Sequence, residues 1–204
     1  MKYIVIFFVF VMTIVSCKPG PKPAPENAPA GNPHAGNPHA NIDMNAPGHV
    51  VFKAPEVWKS ETPTNSMRKE QYRLPGSKPE DDAELVLSYF PGAGGSVDAN
   101  LSRWYGQFKQ PDGGDTQSKA VIKNTENNKL KITVVRVSGN YMKPRVAGQM
   151  GGPVDETPAY AMWAAIVEAP NGPWFLKAVG PQTTMDKYSK EFEQLIGTID
   201  YILD

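Results

Sequence analysis

One cysteine serves the whole chain. It is Cys17, and it follows an uncharged apolar run, Tyr3 to Val15, and then Ser16. No intramolecular disulfide can staple the fold, and no cysteine nucleophile or thiolate metal site can operate beyond it. All three histidines, His34, His39 and His49, precede Val50. Residues 50–204 therefore contain neither His nor Cys, which excludes Ser-His-Asp and Cys-His catalysis and His-ligated zinc from that part. A domain made from these residues must be held by an ordinary apolar core, and a segment of this length can build one.

Residues 1–16 begin with a positive Lys2 and continue apolar. The run is shorter than the 20 or so residues of a membrane-spanning helix and fits a secretory signal peptide. Its end, Ile14-Val15-Ser16-Cys17, resembles the lipobox of bacterial lipoproteins. That resemblance implies cleavage before Cys17, a thioether-linked diacylglycerol on its sulfur, and a further acyl chain such as palmitate on its nitrogen. Two or more chains anchor stably where one does not. Lys18 follows, where an inner-membrane lipoprotein often carries aspartate. The resemblance thus implies a membrane anchor in the cell envelope, on the periplasmic face of the outer membrane if the envelope is Gram-negative.

Residues 17–49 carry the anchor and then a stretch dense in Pro, Ala, Asn and Gly. It holds too little apolar surface to offset its ordering entropy and is expected to be a disordered tether. Its reach is roughly 30 Å as a coil and about 100 Å if extended. Within it, Gly31-Asn32-Pro33-His34-Ala35 repeats as Gly36-Asn37-Pro38-His39-Ala40. The five-residue step continues to Met44 and His49. Imidazole and thioether ligands suit copper, so His34, His39, Met44 and His49 form a candidate metal-handling tail. The preferred reading is a slipped repeat in a spacer, because no rigid geometry holds the ligands.

Lys and Arg together number 21, as do Asp and Glu. Lys2 leaves with the leader, so the balance gives no electrostatic case for nucleic acid. Residues 50–204 read as a single α+β domain. Val50-Val51-Phe52, Met67–Leu74 and Glu84–Phe90 are strand candidates, the last apolar on both faces and hence central. Trp58 is a candidate core plug. A helix is predicted from Ser96 to about Lys109, with Val97, Leu101, Trp104, Tyr105 and Phe108 on one stripe. Ala120–Asn124 and Leu130–Tyr141 pair around Asn127-Asn128, and Lys143–Thr157 is expected to be a long loop. Tyr160–Glu168 and Trp174–Gly180 form a hairpin. One last helix carries Met185, Tyr188, Phe192, Leu195 and Ile196 toward the core. The layout predicts two principal helices packed on a mainly antiparallel sheet.

This element order resembles the PsbP-like fold, named for an oxygen-evolving-enhancer subunit of photosystem II and shared with a Ran-GTPase regulator. Several stretches also make the domain similar to a group of bacterial lipoproteins without assigned activity: Asn65-Ser66-Met67-Arg68, Tyr72-Arg73-Leu74-Pro75, Gly94-Gly95-Ser96-Val97, Arg103-Trp104-Tyr105-Gly106-Gln107-Phe108 and Val179-Gly180-Pro181. The resemblance implies a binding or assembly module and carries over no functional residue.

Gly94, Gly95 and Ser96 open a helix, where backbone N–H groups can hold an anion, and Arg103 lies two turns along it. A tight turn needing glycine explains the same residues, and the lack of a Gly-Lys-Ser/Thr sequence excludes a Walker loop. Arg68, Arg73 and Arg136 are expected to pair with acids such as Glu70 and Glu84 on a solvated face. Asp81-Asp82 and Asp155-Glu156 match no calcium loop. The combined expectation is a lipid-anchored, non-enzymatic envelope protein that binds a small ligand or another envelope protein. A copper-handling lipoprotein and a carboxylate-based envelope enzyme are the alternatives.

Overall fold

The computed structural model describes residues 47–145 and 152–203. The leader, Cys17, and the tether positions His34, His39 and Met44 lie outside the described residues. In chain order the elements are β1 (His49–Val51), β2 (Lys59–Glu61), β3 (Arg68–Leu74), a 3-10 turn at Pro79–Asp81, β4 (Ala83–Tyr89), α1 (Val97–Tyr105), β5 (Phe108–Lys109), α2 (Thr116–Lys119), β6 (Val121–Asn127), β7 (Leu130–Pro144), β8 (Val154–Ala169), β9 (Gly172–Pro181), α3 (Gln182–Lys187), α4 (Ser189–Ile196) and β10 (Asp200–Ile202). An eight-stranded antiparallel sheet runs β2-β3-β4-β9-β8-β7-β5, with β6 also paired to β7. A separate pair joins β1 to β10, with His49 opposite Ile202.

Turn chemistry sets the registers. Asn128 and Lys129 take φ of 49° and 66°, the left-handed values that a two-residue hairpin turn requires. They lock Asn127 opposite Leu130 and hence β6 onto β7. The β8–β9 turn at Pro170-Asn171 sets Ala169 opposite Gly172. Asn171 is buried and serves as a polar hub. Its side chain accepts from Trp174 Nε1 at 2.9 Å and donates to Gly48 O at 2.9 Å, while its carbonyl accepts from Tyr89 Oη at 2.7 Å. Trp174 stacks on Tyr89 with ring centroids 4.4 Å apart.

The central strands bury both faces, which is why Ala161–Val167 reads as an unbroken apolar run. One face, carrying Leu85, Leu87, Ile132, Val134, Trp163, Ala165, Trp174 and Leu176, packs under Met185, Tyr188, Phe192, Leu195 and Ile196 of the C-terminal helices. The other face, carrying Val135, Val137, Met162, Ala164, Ile166 and Phe175, packs under Leu101, Trp104 and Tyr105 of α1. The sheet thus has helices on both sides, and the expected α+β class with a mainly antiparallel sheet is what the chain forms.

Three boundaries differ from the sequence reading. The first helix ends at Tyr105, not near Lys109. Gly106 is a poor helix residue, Met142 N–H takes the Gln107 carbonyl at 2.9 Å, and Phe108 reaches the core from a strand, opposite Tyr141. The stretch expected to be a loop at Lys143–Thr157 is in large part paired. Lys143 faces Asp155, Pro144 faces Val154, and Arg145 N–H donates to Pro153 O at 3.0 Å. The last helix is two helices joined at Tyr188, whose φ of −99° breaks the helical run. Tyr188 instead packs edge-on to the buried Trp58 and donates its hydroxyl to Pro75 O at 2.9 Å.

Candidate functional site

Pro158 cannot donate to a ladder and is tolerated in β8 only at an irregularity. The register between β7 and β8 shifts between Gly139 and Tyr141, opposite Pro158 and Ala159. Gly139 sits at φ 149°, and a Cβ there would meet Lys109 O at 2.6 Å, so β5 can dock only against glycine. A bulge of this kind increases local twist and re-aims side chains. On either side of it stand Tyr141 and Tyr160, stacked at 5.9 Å with planes 10° apart.

These tyrosines form one wall of a cleft of about 480 Å³ lined by Glu61, Arg68, Arg73, Asp82, Glu84, Lys143, Tyr141, Tyr160, Val179 and Gly180. The cleft lies on the α1 side of the sheet, beyond the part that α1 covers. Where α1 packs, β7 to β9 present Val, Met, Ala, Ile and Phe. Toward β3 and β2 the same face turns polar, with Gln71, Arg73 and Glu84 pointing out of it. A helix could not cover those groups without desolvating charge, so this half of the face stays open.

The charges are arranged in pairs. Arg68 bonds Glu84 at 2.8 Å, and Arg73 bonds Glu61 at 3.0 Å and Asp82 at 2.9 Å. The Arg73 guanidinium and the Gly76 N–H, which donates at 2.7 Å, hold the Asp82 carboxyl below the usual range. Burial and the Glu84 charge push the Tyr141 phenol up. The expectation that Arg68 and Arg73 pair on a solvated face is met, although Glu70 bonds the Tyr72 hydroxyl instead. Arg136 lies elsewhere, over the Trp163 ring at 4.7 Å and bonded to Glu193 at 2.9 Å.

At the foot of α1, Lys177 rises from β9 among apolar neighbours. Its strand partners are Val86 and Ala164. Its Nζ donates to Gln107 Oε1. Burial, with a contribution from the Arg103 charge and despite Glu84, pushes the amine down to about 8. Arg103, although exposed, is also pushed down by partial burial, and it donates to Asn100 Oδ1 at 2.7 Å. The sequence reading missed Lys177. The available signal was a single charge inside Trp174-Phe175-Leu176-Lys177-Ala178-Val179, a run otherwise apolar on both faces.

The Gly94–Ser96 turn is stitched shut from within. Ser96 Oγ caps Ala99 N–H at 3.2 Å, and Asn100 Nδ2 donates to the carbonyls of Gly94 and Ser96 at 2.7 and 2.8 Å. A Cβ on Gly94 would meet Pro173 at 2.4 Å, and Gly95 sits at φ 70°. Gly94 thus has a packing reason and Gly95 a backbone one, and Asn100 links the turn to Arg103. Of the four candidate metal ligands only His49 is among the described residues, in β1. No group of three or more His, Cys, Asp or Glu able to hold a metal occurs among the described residues.

No protein-family model matches the chain. Comparison with curated protein sequences gives no match. Among solved structures, a Pseudomonas aeruginosa protein of unknown function, suggested to be a regulator, is similar with TM-score 0.43 and 12% identity, covering 74% of this chain and 96% of that one. Cyanobacterial PsbP from Synechocystis sp. PCC 6803 is similar with TM-score 0.44 and 8% identity, covering 77% of this chain and 94% of that one.

Proposed function

We propose that this chain is a lipid-anchored envelope protein whose domain binds a ligand, without transforming it, in the cleft between β3–β4 and the β7–β8 arm. The observation that carries the reading is the open half of the α1 face, a concave surface that combines stacked tyrosines with paired charges. Its volume falls within the range of small-molecule sites. Every acid lining it already serves an arginine, which disfavours a free carboxylate pair for hydrolysis. The leader ending at Cys17 supplies the address, and the tether holds the domain off the bilayer.

The test is an amide-resolved NMR screen of the full chain against small envelope metabolites. Shifts clustering on Arg68, Glu84, Tyr141 and Tyr160, with the ligand recovered intact, support the reading. A bound ligand that is consumed, or binding that maps only to the α4 side, overturns it.

A further inference from the structure

Five arginines fall within the described residues, and four are bonded to carboxylates: Arg68 to Glu84, Arg73 to Glu61 and Asp82, Arg136 to Glu193, and Arg145 to Asp155 at 2.8 Å. Arg103 is the exception, with only the Asn100 amide oxygen. Lys177 is similar, since its bonded partner is the Gln107 amide oxygen. The one acid whose charge reaches Lys177 is Glu84, and Glu84 is bonded to Arg68. Two cations therefore stand together at the foot of α1 with neutral partners. Neither lines the cleft itself: Lys177 sits one step beyond its edge, two residues along the same strand face from the lining Val179, and its partner Gln107 also takes the Met142 N–H next to Tyr141.

We infer that Lys177 and Arg103 grip the oxyanion of a small acidic ligand, a carboxylate or a phosphate, whose remaining body lies in the cleft against Tyr141 and Tyr160. The proposal rests on the cleft being a binding site and names the ligand chemistry. Both partners suit an oxyanion. Arg103 presents a planar fork and Lys177 a point charge from a desolvated floor, where an ionic hydrogen bond is stronger than in water. Gln107 and Asn100 now accept from the two cations, and an anion would replace those neutral acceptors with a charged one. Placing Arg103 in the last turn of α1 is favourable for the helix dipole by itself, but that does not account for a lysine sunk beside it.

The groups facing Lys177 are Arg103, Arg68 and Glu84, and of these Glu84 alone opposes the loss of its proton. An added anion stabilises the protonated amine, so binding should weaken as pH rises through 8. The experiment uses the full chain with the Lys177 side-chain methylene signal, assigned by its loss in Lys177→Met. Inorganic phosphate and succinate are the two probes, and sodium chloride at equal ionic strength is the control. At least one probe should raise the Lys177 titration midpoint by a unit or more. Its affinity should fall at least fivefold from pH 7 to 9.5 and at least tenfold in Lys177→Met and in Arg103→Gln. Arg103→Lys, which keeps the charge, should lose less. Phosphate alone acting would assign a phosphorylated ligand, and succinate alone a carboxylate. Midpoints unmoved by both probes beyond chloride, or folded variants that bind like the parent chain, would overturn the inference. If an uncharged ligand then shifts Tyr141 and Tyr160 while Lys177 stays silent, the cleft still binds and only the anion falls; silence at both removes both.

Discussion

Replacing Lys177 with Met should make the protein more stable at neutral pH. In the unfolded chain this amine keeps its proton to about 10.5, whereas in the fold it gives it up near 8. Between those values the unfolded state binds more protons, so rising pH stabilises the fold; below 8 the whole penalty of a charged amine on an apolar floor is present. The difference of two and a half units corresponds to about 3 kcal/mol. Losing the bond to Gln107 returns about 1 kcal/mol, softened because Gln107 can reach water. The variant should therefore gain about 2 kcal/mol at pH 7, a rise of roughly 4–8 °C in Tm for a domain of this size. The gain should shrink steadily from pH 8, cross zero just below pH 10, and turn into a loss of about 1 kcal/mol above 10.5, where only the missing bond to Gln107 counts. Burial raises Tyr72, Tyr89, Tyr105 and Tyr141, which opposes stability above pH 10 in both proteins, so the comparison cancels it. Urea unfolding followed by tryptophan fluorescence at pH 7, 8.5 and 10 is the assay. A variant no more stable than the parent at pH 7, or a gap indifferent to pH, would refute the desolvated-lysine argument.

Two further substitutions probe other links. Asn171→Ala leaves Trp174 Nε1 and Gly48 O without their bonds in a buried hub, and it should cost about 2–3 kcal/mol by the same unfolding assay. Cys17→Ser should move the protein from the membrane fraction to the soluble envelope fraction and abolish labelling by radioactive palmitate; retention in the membrane would contradict the lipid anchor.

Much of the fold was legible because its signals are local. A two-sided apolar run named β4 as an interior strand, the hairpin signal paired β8 with β9, and Asn127-Asn128 placed the β6–β7 turn to within a residue. Trp58 was recognisable as core because an aromatic of that size among prolines has little else to do. The errors arose where tertiary contacts decide. Phe108 keeps helical spacing from Trp104 and Tyr105, yet a bond from Met142 and the fit of Gly139 draw it into a strand. Lys143–Thr157 looks like a loop by composition because its pairing depends on a bulge around Pro158 that no local pattern announces. Tyr188 falls on the apolar stripe of a continuous helix, and only its bond to Pro75 O explains the break.

The site was harder to read than the fold because its residues come from seven separate elements, β2, β3, β4, α1, β7, β8 and β9. Arg103 was singled out, but for its distance from Gly94–Ser96 and not for its neighbours. In the structure that turn faces inward on Asn100, and the guanidinium lies toward β9. What makes Arg103 unusual is a missing carboxylate, and an absence of pairing has no sequence signature. Lys177 does have one. A strand buried on both faces tolerates a charge only if something offsets its desolvation, and here the offset within the chain is one amide oxygen and the charge of Glu84, itself bonded to Arg68. The same imbalance lowers the stability of the empty domain at neutral pH and supplies the attraction for an anion. A replacement that removes one effect must therefore remove the other. The Lys177→Met gain in stability and its loss of anion affinity should appear together, over the same range of pH, and a protein showing the first without the second would keep a costly lysine with no ligand to explain it.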